Sequence, residues 1–436
     1  MTLTTLIGWL LVGVPFSGAL AGISFWSNPA RLKYASVVWA VASLGAVAGL
    51  SSWLVIPPEG FLPLYLLPVT AIISLLAQPA HADYRTSLIL TLAFLGLGLC
   101  VLVSPPTVGS LALILLFLLI AYLLYHHHSP LWPMSWWGIG AYVFGAACMA
   151  LSLLTQAPLA SVASLAASAV LLPLVPFHNG HLAAVTRLPG NLPSFMAVLL
   201  PIVGLHGLAS ALLTASDTVA EVVGIFGLAG AIYGAAKALV QTRVRLLLAY
   251  GSLSFFAVTW WFSAATRMAT PRSALLVGTV GLATSGLLVA WQIVRTRYGD
   301  DVDPQAVSGL ASGMPQFAVL LSVLALAAMG LPPFGVFAGF MGLLLSSPFP
   351  SSIGLIIILA AWLAASWYIM QMAQRLLFGQ RRPDLRYTDV LRTEFAALVI
   401  VALALLGLGL APVTTFAPEE SLAGAHMSMG YPTWNR

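Results

Sequence analysis

QFAVLLSVLALAAMGLPPFGVFAGFMGLLLS, residues 316–346, carries no charged side chain and is interrupted near its middle by Gly330-Leu331-Pro332-Pro333-Phe334-Gly335. A run of this kind reads as a membrane span, because a helix needs about 20 mostly apolar residues to cross the hydrocarbon layer. The interruption is the informative part. Proline removes an i→i−4 hydrogen bond and clashes with the preceding turn. At membrane depth the freed carbonyls must then be satisfied by neighbouring helices or by a water-lined cavity. A second interruption, Leu172-Pro173-Leu174-Val175-Pro176-Phe177-His178, closes the apolar stretch 159–177.

Working outward from these two stretches, further apolar runs lie at about 3–24, 34–55, 61–79, 86–104, 108–125, 134–155, 192–214, 218–240, 244–264, 272–294, 351–374 and 393–412. Hydrophobic residues make up 60% of the chain, charged residues 7%, and the mean hydropathy is +0.99, outside the range of soluble domains. The fold class expected is all-α, a polytopic membrane protein of about fourteen transmembrane helices with helices seven and twelve broken. The first run lacks a basic leader and a clear cleavage site, so it reads as a retained span. No linker or compositional shift divides the chain, which implies a single membrane domain over 1–412 and a short extracytoplasmic tail over 413–436. The breaks stand five spans apart. That spacing fits two inverted five-helix repeats, about 86–214 and 218–374, in which paired broken helices point to a transport site. Two packing kinks are the plainer reading.

The net charge is +5, but the basic residues neither form an arm nor interleave with aromatics on a soluble face, which argues against nucleic acid. Odd-numbered loops and their edges hold Arg31, Lys33, Arg85, Arg187, Arg243, Arg245, Arg295, Arg297, Arg375, Arg381, Arg382, Arg386 and Arg392. Even-numbered loops hold Arg267 and Arg272. Because basic residues in short loops are retained in the cytoplasm, both termini are expected outside. Arg381, Arg382 and Arg386 suit a cytoplasmic partner or anionic headgroups. Cys100 and Cys148 fall in apolar runs and read as small core hydrophobes. The tract His126, His127 and His128 has no carboxylate or thiolate near it, and no metal site is expected. Trp136, Trp137, Trp260 and Trp261 lie near span ends and read as an interfacial belt.

Three segments resemble a known family, the antiporter-like, proton-translocating membrane subunits of respiratory complex I, membrane-bound hydrogenases, multisubunit cation/proton antiporters and inorganic-carbon pumps. Leu174-Val175-Pro176-Phe177-His178 is similar to the family's P-[FL]-H-x-W-L-P turn after a broken seventh helix. Tyr233-Gly234, continued by Gln241-Thr242-Arg243-Val244-Arg245-Leu246-Leu247-Leu248-Ala249-Tyr250-Gly251-Ser252, is similar to its Y-G-x3-A-x2-Q-x-D-x-K-R-x-x-A-Y-S-S run. Ala327-Ala328-Met329 with Gly330 to Phe337 is similar to its A-x-x-G-L-P-P-x-x-G-F break. The resemblance implies an inner-membrane subunit of a multisubunit complex, with other membrane subunits and a cytoplasmic or redox partner beside it.

The chain departs from that pattern where proton-moving members carry buried ionisable groups. The seventh-span Lys falls near Leu171, the eighth-span Lys near Gly204, the eleventh-span Lys near Ser285, and the twelfth-span acid or base near Phe340. The fifth span, Val108 to Tyr125, has no carboxylate, and Arg243 replaces the motif's Asp. A proton relay needs groups that exchange a proton, so the usual path is expected to be broken. Lys237 and His206 are the ionisable residues left inside spans, and His178 belongs to the matched turn. These three are the proton-path candidates, although Lys237 could equally snorkel to the cytoplasmic face. His181 reads as facing the interface. Tyr122, Tyr142, Tyr233, Ser168, Thr284 and Ser285 could line a hydrated path or simply pack.

No nucleotide, flavin or iron–sulfur motif is present, so no cofactor is expected, and any redox centre belongs to a partner. The leading expectation is a non-catalytic membrane subunit that couples proton or other cation movement to a redox partner, as in NADH-quinone oxidoreductase. A membrane subunit of a cation-gradient-driven inorganic-carbon pump and a non-conducting structural anchor are the alternatives.

Overall fold

A computed structural model describes residues 3–54, 58–127, 135–298, 307–345, 352–379 and 388–411. Among them the regular structure is helical throughout, with no strand. The chain runs through α1 (Leu3–Ser24), α2 (Pro29–Leu50), α3 (Pro58–Ala77), α4 (Arg85–Val103), α5 (Pro106–His126) and α6 (Trp136–Leu154). A pair of short helices follows, α7 (Leu159–Leu171) and α8 (Asn179–Arg187). Four long ones come next: α9 (Leu192–Thr214), α10 (Asp217–Leu239), α11 (Val244–Thr266) and α12 (Pro271–Tyr298). After the single turn α13 (Leu310–Gly313) stand a second short pair, α14 (Pro315–Ala328) and α15 (Gly335–Leu344), then α16 (Ser352–Leu377) and α17 (Arg392–Leu410).

Twelve of these helices are long and apolar enough to cross a membrane, and the protein is a multi-pass membrane protein. The two remaining apolar runs are each occupied by a short pair, α7 with α8 and α14 with α15. Helix starts follow local chemistry. Proline opens α2, α3, α5, α12 and α14, where the missing N–H would have had no helical partner and φ is already helical. Asn28 caps α2 by accepting from the Arg31 backbone N–H at 3.1 Å.

Helix α12 lies at the centre, with every residue from Ser273 to Val294 buried, and α9, α11 and α15 pack against it. Large apolar side chains such as Leu20, Val38, Ile225, Leu363 and Trp367 are exposed on the outer helices, as a lipid-facing surface requires. The odd-numbered loops, which hold most of the described basic residues, meet at one end of the bundle. Arg85 donates to the Ser27 carbonyl, Arg245 to Thr186 O and Gln292 Oε1, and Arg297 to Glu394, so these contacts knit odd-numbered loops together. Arg267, between α11 and α12, pairs with Asp217 at the start of α10 and so joins two even-numbered loops. The tail 413–436, Arg381, Arg382, Arg386 and His128 lie outside the described residues.

Candidate functional site

The two breaks are built by the same device. In the first, residues 172–178 separate α7 from α8. The helical partner of the Leu172 carbonyl would be the backbone nitrogen four residues on, which belongs to Pro176 and has no hydrogen. The indole N–H of Trp260, on α11, donates to that carbonyl instead at 3.0 Å. Pro173 denies a donor to Ala169 O in the same way, and Leu174 N replaces it at 3.1 Å. In the second break, 329–334, the donor missing from Met329 O is that of Pro333, and the Trp362 indole of α16 supplies one at 2.8 Å. Gly330 takes φ +74 there, a conformation that disfavours side chains. Each break contains a cis X–Pro bond, Val175–Pro176 and Pro332–Pro333.

Trp260 is therefore not a belt residue. It is fully buried and Trp261 is 5% exposed, whereas Trp136 and Trp137 are 68% and 81% exposed as an interfacial position requires. The difference is one of facing, since Trp260 turns inward to the carbonyl that Pro176 frees.

At the first break His178 is buried and its ring sits 5.1 Å from that of Tyr233 and 6.4 Å from that of Tyr250. Tyr233 and Tyr250 are 6.1 Å apart, and the Lys237 ammonium stands 5.8 Å from the Tyr233 ring centre. Lys237 occupies the last turn of α10 and is exposed, so its charge keeps contact with the bundle surface while its ring partner leads inward. His181 corrects its expected place at the interface. It is 0% exposed, because α8 is tucked inside the bundle with Gly180 to Thr186 all buried. Its Nε2 lies 3.0 Å from Ser252 Oγ, and Ser252 donates to Ala249 O at 3.1 Å. Tyr142 is also buried, donating to Gly180 O at 3.0 Å and so anchoring α8 to α6. The structure does not bring His206 into this group. It is half-buried on α9 and makes no hydrogen bond or ring contact among the described residues.

The positions where the family carries lysine or acid are closed by packing. Leu171 is 0% exposed. At Gly204 α9 crosses the break so closely that a Cβ would run into the Leu172 backbone nitrogen, so no larger side chain fits. Phe340 is 1% exposed with its ring 4.7 Å from that of Trp362, and Ser285 is fully buried. Among the described residues the buried carboxylate is Glu394, which a reading of the sequence missed. It takes a bidentate pair from Arg297 at 2.6 and 3.2 Å, with Lys33, itself 8% exposed, beside it on Thr393 at 3.5 Å. No sequence signal joins residues that far apart. No group of three metal-ligating side chains occurs among the described residues.

Residues 151–366, about half of the chain, match the family described as NADH:quinone oxidoreductase/Mrp antiporter, transmembrane. The chain is 27% identical over 277 residues to NADH-quinone oxidoreductase subunit M of Escherichia coli (strain K12), a match covering 61% of this chain and 52% of that one. It thus spans about half the length of the curated relatives it matches. In fold it is similar to a chain of respiratory complex I from Thermus thermophilus, with a TM-score of 0.72, 19% identity, and coverage of 93% of this chain and 98% of that one. It is similar also to a chain of the membrane-bound sulfane sulfur reductase, an archaeal respiratory membrane complex, with a TM-score of 0.79, 14% identity, and coverage of 94% and 95%.

Proposed function

The chain belongs to the NADH:quinone oxidoreductase/Mrp antiporter family of membrane subunits, and from that membership we propose that it is a membrane subunit of a multisubunit, energy-coupled complex. In it the chain helps to couple proton or other cation movement to the redox chemistry of a partner subunit. The observation that carries this reading is the group at the first break, where the exposed Lys237 ammonium stands over the ring of the half-buried Tyr233, and the buried His178 ring packs against those of Tyr233 and the half-buried Tyr250. A neutral imidazole accepts a proton at one nitrogen and releases one from the other, and a phenol hydroxyl both donates and accepts. The family's relay positions are filled here by Leu171, Gly204, Ser285 and Phe340, so a proton path through this chain depends on other groups.

The wider architecture we propose has fourteen crossings, each short pair counting as one broken crossing. Two inverted repeats, about 86–214 and 218–374, each contain one break, and the shared build of the breaks, a carbonyl deprived of its helical donor by proline, supports that pairing. The basic end faces the cytoplasm of an inner membrane, with both termini on the opposite side. The relatives' names, a quinone oxidoreductase subunit and a respiratory complex, support a redox partner.

A non-conducting anchor is the second reading, and the closed packing at Gly204 and Phe340 favours it. Affinity purification of the intact assembly with mass spectrometry of its members tests the role in a complex. Recovery of further membrane subunits with a redox subunit supports the proposal. A zinc-dependent hydration subunit in its place would make the chain part of an inorganic-carbon pump, and recovery of the chain alone would overturn the proposal.

A further inference from the structure

Between α11, α12, α16 and the two halves of the second broken helix lies a cavity of about 20 Å³, room for one water molecule. Its wall is mostly apolar, with Phe255 and Val336 among its residues, and three hydroxyl side chains join them: Ser252, Thr284 and Tyr368. Tyr368 is 1% exposed, and its hydroxyl has no hydrogen-bond partner among the described residues. The oxygen lies over Gly251, where an added Cβ would meet it at 2.9 Å, so the residue preceding Ser252 is what lets the phenol reach this wall.

Ser252 is the other half of the argument. Its one hydroxyl proton goes to Ala249 O at 3.1 Å, so at 3.0 Å it accepts from His181 Nε2, and a hydroxyl oxygen has a second lone pair to offer. A water in the cavity can donate to that lone pair while it accepts from the Tyr368 hydroxyl. Such a water satisfies the buried phenol, which would otherwise destabilise the fold, and it needs the two to four polar partners that this wall supplies.

We propose that the cavity is a one-water site joining Ser252 to Tyr368, so that the hydrogen-bonded line that begins at His181, in α8 just after the first break, is carried across α11 to α16 at the second break. The two broken helices are then linked by neutral groups, with hydroxyls and a water in place of charged side chains. The water site stands on the cavity and its hydroxyls alone. Its use as a proton link rests on the function proposed above and requires the Ser252 hydroxyl to turn from Ala249 O to the water, so that it passes one proton on as it takes one from His181.

The test is a high-resolution electron cryomicroscopy map of the intact complex in lipid nanodiscs, with the unfolding midpoint and proton flux of Tyr368→Phe beside wild type. One ordered density within hydrogen-bond reach of both Tyr368 and Ser252, and a midpoint that falls in Tyr368→Phe, are expected. A cavity without density in the wild-type map overturns the site, and a midpoint that rises does the same, since removing a hydroxyl from a dry cavity stabilises. For the link, Tyr368→Phe is expected to lower flux at least tenfold. Flux equal to wild type in that variant overturns the link, whereas a wild-type complex that moves no protons overturns the function proposed above and leaves the map to decide the site.

Discussion

Replacing Trp260 by Phe removes the one donor that reaches Leu172 O while keeping an aromatic ring in the core. Pro176 stands where the helix would otherwise supply an N–H, so this carbonyl has no helical partner in reserve. A buried acceptor left without a partner costs about 1–3 kcal/mol. The truncated ring adds its own loss of packing. Trp261→Phe measures that loss, because Trp261 is buried to a similar degree, at 5% exposure, and makes no hydrogen bond among the described residues. The difference between the two variants isolates the carbonyl, and about 1–3 kcal/mol of it is a roughly 5- to 140-fold change in the unfolding constant. Interhelical hydrogen bonds in membranes average nearer to 0.6 kcal/mol, because the unfolded chain in lipid finds other partners, so a value above that marks the proline-imposed lack of one. The assay is equilibrium unfolding in mixed micelles followed by far-ultraviolet circular dichroism. Trp260→Phe unfolding no more readily than Trp261→Phe would refute the reasoning.

Three further outcomes follow from the same geometry. Glu394→Gln leaves the Arg297 guanidinium without its carboxylate partner and is expected to cost about 3–5 kcal/mol, most of it recovered when Arg297 and Glu394 are both replaced by Leu; the same unfolding assay reads both. Gly204→Ala pushes α9 off the Leu172 backbone and is expected to cost about 1–3 kcal/mol, whereas a change within ±0.5 kcal/mol would show that the approach is looser than described. Lys237→Ala removes an exposed ammonium whose contact with Tyr233 is worth about 0.5–1 kcal/mol at such a site, so its melting curve is expected to stay close to wild type.

The helical, membrane-spanning class was legible because run length and the absence of charge are one-dimensional properties. The breaks were legible because Pro173 with Pro176, and Pro332 with Pro333, remove donors within a single turn. Prolines at Pro15 and Pro201, and Pro63 and Pro68 five residues apart, stay inside continuous helices. What caps the freed carbonyls was not legible, since nearness to a span end does not say which way an indole faces, and Trp260 was read as a belt residue for that reason. His181 was misplaced by the same kind of reading, because α8 is too short and too polar to look buried, yet the bundle encloses it. The pair of Arg297 and Glu394 joins two helices that lie far apart in the chain, and no periodicity predicts it. His178, Tyr233 and Tyr250 were each visible as motif residues, but their meeting at one point depends on how α8, α10 and α11 pack.

The measurement that bears most directly on the central claim is proton flux through the intact complex reconstituted in proteoliposomes, comparing wild type with Lys237→Ala, His178→Ala and His206→Ala at equal assembly. The account predicts that His178→Ala and Lys237→Ala abolish or strongly reduce flux, and that His206→Ala, whose ring stands apart from the others, has a smaller effect. Full flux in both His178→Ala and Lys237→Ala would contradict a path through this subunit and leave the anchor as its function.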